Sequence, residues 1–177
     1  MSFENSLFET YFSNQVSEKY LIEKLEIDNK DFLDNLYEEV VCVIEKEDSQ
    51  RLEYLIYALL MWEVQESNTI ILLKEKFLDC LNNVLLLEWH KQHEIIVDLL
   101  QKMPDEKSIT YLYRAIYLKL LYLEWDENYS FQKKCVRIIA KIGGKEAIKC
   151  LEALCRDENE IIRELAQRKI GQVREEK

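Results

Sequence analysis

The amino-acid sequence predicts an all-α protein: a short right-handed α-solenoid of antiparallel helix hairpins, with eight or nine helices. Three observations predict it. Three Gly and one Pro in 177 residues are too few turn formers for a sheet protein, whereas helix pairs need only short polar links. Apolar residues recur at the helical period along nearly the whole chain. Similar segments then return about every 30 to 40 residues, the span of one helix pair.

Taken in order, Asp28 and Asn29 supply a cap for a helix with the stripe Leu33, Leu36, Tyr37, Val40 and Ile44. Asp48 or Ser49 opens the next, with Leu52, Leu55, Ile56, Leu59 and Leu60 on one face. Ser67 to Thr69 is a third polar start, before Leu73, Phe77, Leu81 and Val84. A break near His90 precedes a short helix with Ile95, Ile96, Leu99, Leu100 and Met103, which Pro104 stops because proline cannot continue the hydrogen-bond ladder. Ser108 then caps a long stripe of Leu112, Tyr113, Ile116, Tyr117, Leu120 and Leu121. Gly143-Gly144 divides two further helices, and Asp157 to Asn159 starts the last. Links this short place sequence neighbours antiparallel.

Length and composition fit one domain over 1–177. Apolar residues at 48% and charged residues at 33% suffice for a core, which argues against disorder. The first twenty residues lack a basic, then apolar, then small-residue leader pattern, and no apolar run approaches the roughly 20 residues of a membrane span. The five cysteines (Cys42, Cys80, Cys135, Cys150, Cys155) are odd in number, form no C-x-x-C pair and sit at apolar-periodic positions. The expectation is a cytoplasmic protein with no membrane contact.

The repeat gives the helices an architecture. Leu120, Leu123 and Asp126-Glu127-Asn128 recur as Leu151, Leu154 and Asp157-Glu158-Asn159, and an Ile-Gly pair closes each copy, Ile142-Gly143 and Ile170-Gly171. The Leu-Glu-Trp opening of Leu123–Trp125 also occurs at Leu87–Trp89. The segment Asp126 to Val173 resembles HEAT-like repeats, in which an acidic or amide residue caps the second helix and an Arg such as Arg163 follows on its first turn. The block L-E-W-H-K-Q-H-E-I-I-V-D-L-L-Q, Leu87 to Gln101, is similar to one in a group of bacterial HEAT-repeat proteins encoded beside polymorphic toxins and regarded as their immunity proteins. The resemblance covers about Ile70 to Val173, so residues 67–177 are expected to be HEAT-like repeats. Residues 1–66 are expected to be acidic helices, either a cap or divergent hairpins.

Charge is distributed unevenly. Residues 1–66 hold sixteen acids and five bases, a net of −11, and residues 67–177 hold eighteen acids and nineteen bases, a net of +1. An acidic third repels nucleic acid and attracts a basic protein partner. It also serves plain solubility. Glu38, Glu39 and Glu45 lie in this third and are candidate partner contacts.

Other candidates follow from residue type. His90, His93 and Glu94 stand at i, i+3, i+4 spacing, but they lack a fourth ligand, and solvent-facing first-turn residues explain them without a metal. Trp62-Glu63, Trp89 and Trp125 fall at or near helix ends, where they serve as packing between hairpins or as anchors for a partner. Tyr111, Tyr113, Tyr117, Tyr122 and Tyr129 crowd one helix pair, and some must face outward. Lys133, Lys134, Arg137, Lys141, Lys145 and Lys149 have acidic neighbours and read as a solvated face.

No catalytic motif is present: no G-x-S-x-G, no H-E-x-x-H and no glycine-rich phosphate loop. The expectation is a non-enzymatic protein-binding module with no cofactor or metal, monomeric or weakly dimeric. Its most specific form, implied by the resemblance, is a cytoplasmic immunity protein that neutralises a basic toxin domain. The alternatives are a general HEAT-like scaffold or adaptor, or a HEAT-like enzyme acting on nucleic acid or a tetrapyrrole.

Overall fold

In the computed structural model, residues 3–27, 29–65 and 70–175 are described, the side chains of 63–65, 70, 174 and 175 excepted. Among these residues there are ten α-helices, one 3-10 turn and no strand. The helices are α1 (Asn5–Phe12), α2 (Glu18–Leu25), α3 (Phe32–Lys46), α4 (Ser49–Gln65), α5 (Ile70–Val84), α6 (His93–Lys102), α7 (Ser108–Ala115), α8 (Ser130–Ile142), α9 (Gly144–Leu154) and α10 (Glu160–Glu175), with the 3-10 turn at Leu121–Leu123. The count exceeds the eight or nine expected because α1 and α2, of eight residues each, are too short for a helical period to stand out. Packing divides the chain into two compact units, Met1–Phe77 with Trp89–Gln92, and Leu78–Glu88 with His93–Lys177. That division falls inside α5. The change of composition after residue 66, like the expected caps Asp28 and Ser67 to Thr69, lies at residues outside the described set.

In the first unit α1 packs on α2 and α4, and α3 pairs with α4. Ser17 caps α2, its hydroxyl accepting from the Tyr20 amide at 3.2 Å. Phe32, Leu33, Leu36, Val40 and Val43 form the buried face of α3. Glu47 ends this helix in the left-handed conformation (φ 52°), and Asp48 at once caps α4, accepting from the Arg51 amide at 3.0 Å. Leu52, Leu55, Ile56 and Leu59 are buried, as the stripe requires, but so are Tyr54, Ala58 and Met61. The α4 helix is therefore covered on more than one face, with Phe8 stacked on Tyr54 at 5.0 Å. Arg51 ties the unit together. Its guanidinium donates to the Phe3 carbonyl (2.9 Å), Asn5 Oδ1 (2.8 Å) and Glu39 Oε2 (2.7 Å).

In the second unit α6 packs on α8, α7 on α8 and α9, α8 on α9 and α10, and α9 on α10. Each of α7 and α8 thus meets the next helix and the next but one. The amphipathic pattern explains the core: Phe131, Cys135, Val136, Ile138 and Ile139 of α8 are buried, as are Ala147, Leu151 and Leu154 of α9. Pro104 lies just beyond the end of α6, as expected. Ser108, however, is not a cap: it begins α7 with its hydroxyl buried and unpaired among the described residues, while Asp105 accepts from the Lys107 amide at 2.9 Å.

The long helix expected from Ser108 to Leu121 stops at Ala115. Beyond it the chain tightens through i to i+3 bonds, Tyr117 to Arg114 and Leu118 to Ala115, and Leu120 turns extended (φ −82°, ψ 98°). A continuous helix through Tyr117–Leu123 would carry apolar side chains at every position but Lys119. Breaking it buries Leu120 and turns Leu121 outward, so Leu121 does not belong to the inward stripe.

The repeat has a physical counterpart at its start. The Asn128 amide donates to Asp126 Oδ1 at 3.1 Å, and the Asn159 amide donates to Asp157 Oδ1 at 2.9 Å. Both aspartates thus fold the same turn before a helix, α8 or α10. Asn159 Oδ1 caps the Ile162 amide at 3.2 Å, and Arg163 donates to the carbonyls of Asp157 (2.7 Å) and Glu158 (3.2 Å). The copies differ at their ends. Gly143 (φ 72°, ψ −159°) terminates α8 in a conformation that side-chain-bearing residues avoid, whereas Ile170-Gly171 lies within α10, which runs on to Glu175. The second Ile-Gly is not a helix end.

Candidate functional site

The histidine block lies inside the fold, not on its surface. His90 precedes α6, so His90, His93 and Glu94 do not share one helix face. His90 is buried, its Nδ1 accepting from the Gln92 amide at 3.1 Å, with the Trp89 ring edge-on at 5.1 Å. His93 is wholly buried, packed edge-on against Phe131. Its Nε2 meets the Leu87 carbonyl at 2.9 Å and its Nδ1 the Tyr122 hydroxyl at 3.0 Å. A carbonyl only accepts, so Nε2 carries a proton, and in the neutral ring Nδ1 accepts from Tyr122. Burial, with the nearby Glu94 charge second, pushes the Tyr122 hydroxyl up to about 12, so it remains a donor at neutral pH. These side chains are corrected from solvent-facing contacts to interior ones. A first-turn position faces solvent only when nothing covers it, and here Tyr122 and Phe131 do.

The other candidates divide by exposure. Trp62 is buried and Trp89 half-buried, so both pack mainly against the protein, while the Glu63 side chain lies outside the described residues. Glu94 is half-buried. Glu39 is engaged by Arg51, so it braces α3 against α4 and is not a free surface charge. Glu38 and Glu45 are exposed.

Trp125 differs from the other two tryptophans: it is 78% exposed, and Leu121, one turn earlier, is 76% exposed. The indole is nonetheless held, because Nε1–H donates to the Tyr122 carbonyl at 2.8 Å. Tyr122 thus joins the buried His93 to the exposed Trp125. On the other side, Asp126 accepts from the Ser130 amide at 2.6 Å and the Asn128 amide at 3.1 Å. These bonds, the Ser130 amide first, hold its carboxyl below the usual carboxylate range. Tyr117, 54% exposed, stacks edge-on with Tyr113 and donates to Asp157 Oδ2 at 2.7 Å. Burial first, and that bond second, raise its hydroxyl well above the ordinary tyrosine value.

No family model, curated protein or solved structure matches the chain.

Sequence reasoning pointed to Trp125 and to outward-facing tyrosines, and Tyr117 and Tyr129 are exposed. It missed Leu121, which carries the same apolar signal as its buried neighbours. The basic set on α8 and α9 is partly committed within the unit: Lys134 pairs with Asp98 (2.9 Å), Lys149 with Glu146 (2.9 Å), and Lys141 donates to the Gln101 carbonyl (3.1 Å). Among the described residues no group of three or more His, Cys, Asp or Glu side chains could hold a metal. Nor, among the described residues, is any helix long and apolar enough to cross a membrane. Two open hollows of the first unit, of about 400 and 450 Å³, are lined by mixed charge and short apolar patches. In the first, Lys76 and Asp34 neutralise each other.

Proposed function

We propose that the chain is a non-enzymatic protein-binding module, a short right-handed HEAT-like stack of helix hairpins. In its most specific form it is a cytoplasmic immunity protein that binds and neutralises a basic toxin domain. The observation that carries the binding reading is the Leu121–Tyr129 turn, where a large aromatic and an aliphatic side chain stand in solvent on a backbone pinned to the core. Large aromatics dominate protein–protein hot spots because they bury much area with little loss of side-chain freedom. The stacking of α7 and α8, each onto the next helix and the next but one, and of α9 onto α10 supports the solenoid form. The net −11 of residues 1–66 and the two turns that begin with Asp126 and Asp157 support the basic partner and the repeat respectively.

The test is to isolate the protein's partner from its source cells and assay that partner's toxicity with and without the chain. A basic, toxic partner silenced at equimolar ratio is the expected result. A toxic partner left fully active in the complex refutes the immunity reading, and a harmless partner replaces it with the adaptor reading.

A further inference from the structure

We propose that the Leu121–Tyr129 turn is the docking point for an arginine-bearing surface of a partner protein. The guanidinium stacks on the Trp125 indole and pairs with the carboxylates of Glu124 and Glu127. This rests on the reading of the chain as a binder of basic protein and assigns the contact within it.

Single exposed apolar side chains are common and need no partner. This one differs in what it can offer. The indole N–H is already taken by the Tyr122 carbonyl at 2.8 Å, so the ring has no donor left for a phosphate or a carbonyl. What remains is its face, whose negative quadrupole attracts cations. From Leu120 to Gln132 the chain carries three acids and no base. Of these, Asp126 is occupied with the Ser130 and Asn128 amides, whereas Glu124 and Glu127 are exposed on either side of Trp125 in sequence. An aromatic face in a turn that also carries two exposed carboxylates matches a planar cation that can both stack and form paired hydrogen bonds, which favours Arg over Lys. The same carboxylates repel phosphate, and so disfavour nucleic acid and anionic lipid. Leu121, a turn away, supplies an apolar rest for the stem of the arginine.

The probe is a nona-arginine amide, titrated into the isotopically labelled full chain at low salt, with nona-lysine, a single-stranded oligonucleotide and anionic vesicles as comparators. The expected result is a shift of the Trp125 indole resonance and tighter binding of nona-arginine than of nona-lysine. Trp125→Ala should weaken nona-arginine about tenfold, and the double variant Glu124→Gln/Glu127→Gln should weaken it several-fold. Neither variant removes a buried group, and unchanged far-UV circular dichroism verifies the fold. Perturbation confined to Glu38 and Glu45 of α3, with Trp125→Ala binding as tightly as wild type, overturns the assignment of this turn. The basic-partner reading would then still stand. Absence of nona-arginine binding overturns the assignment, as does binding to the oligonucleotide or the vesicles that disappears in Trp125→Ala.

Discussion

Replacing His93 with Leu separates a structural role from a contact role. The substitution roughly conserves volume and keeps the packing against Phe131, but removes both ring hydrogen bonds. The Leu87 carbonyl, on a half-buried residue, is left without this donor, at a cost of about 1–3 kcal/mol. The Tyr122 hydroxyl is only part-buried and can turn to water, so its loss adds about 0.5–1 kcal/mol. The greater hydrophobicity of Leu offsets about 1 kcal/mol. A net loss of roughly 2 kcal/mol remains, and for a chain of this length it lowers Tm by about 4–8 °C. Urea unfolding followed by circular dichroism measures it, with an unchanged slope against denaturant showing that stability alone has moved. Trp125→Ala should stay within about 0.5 kcal/mol of wild type, as an exposed change does. A His93→Leu protein as stable as wild type would refute this account of the interior hydrogen bonds. If it had also lost its partner, His93 would be a direct contact.

Three further predictions use the same physics. Gly143→Ala should destabilise by about 1–3 kcal/mol because φ 72° with ψ −159° is a region nearly confined to glycine. Gly171→Ala, in helix with open space around it, should stabilise by about 0.5–1 kcal/mol; thermal melts of the pair reveal the opposite signs. The folded Asp126 carboxyl titrates below its unfolded value, so its contribution is complete above the ordinary carboxylate range and lost as pH falls through the lowered value. The gap in Tm between wild type and Asp126→Asn should therefore be present at pH 7 and close in strong acid. Burial pushes the Cys80 thiol up to about 11 and raises the fully buried Cys135 further, so alkylation of the native protein, read by mass spectrometry, should reach Cys135 last.

Much of the fold is legible in the sequence because it rests on local chemistry. Leu73, Phe77, Leu81 and Val84 keep helical spacing, and all four are buried. Asp48, Pro104 and Gly143 mark helix ends through capping, a missing donor and backbone freedom, properties of single residues. The Tyr117–Leu123 segment is different. It is apolar at every position but Lys119, so periodicity cannot distinguish Leu120, which is buried, from Leu121, which is not. His93 shows the same limit from the polar side. Two histidines near a helix start read as surface residues until Tyr122, 29 positions later, is seen to cover one of them. Glu39 read as a free charge for want of Arg51, its partner twelve residues on. Of the partner-binding candidates whose side chains are described, Trp125, Glu38 and Glu45 are exposed, because exposure is decided by packing that residue type alone does not encode.

For the proposed docking turn, the link from the Leu87 carbonyl through His93 and Tyr122 to the Trp125 indole would bear on how quickly a complex forms. A loose loop must find its bound shape after each encounter, and most encounters end before it does. A ring tethered to the interior keeps one orientation while free, so the loss of motion that accompanies association is small on this side of the interface. Association through such a turn should proceed as a rigid encounter at rates set by diffusion and charge.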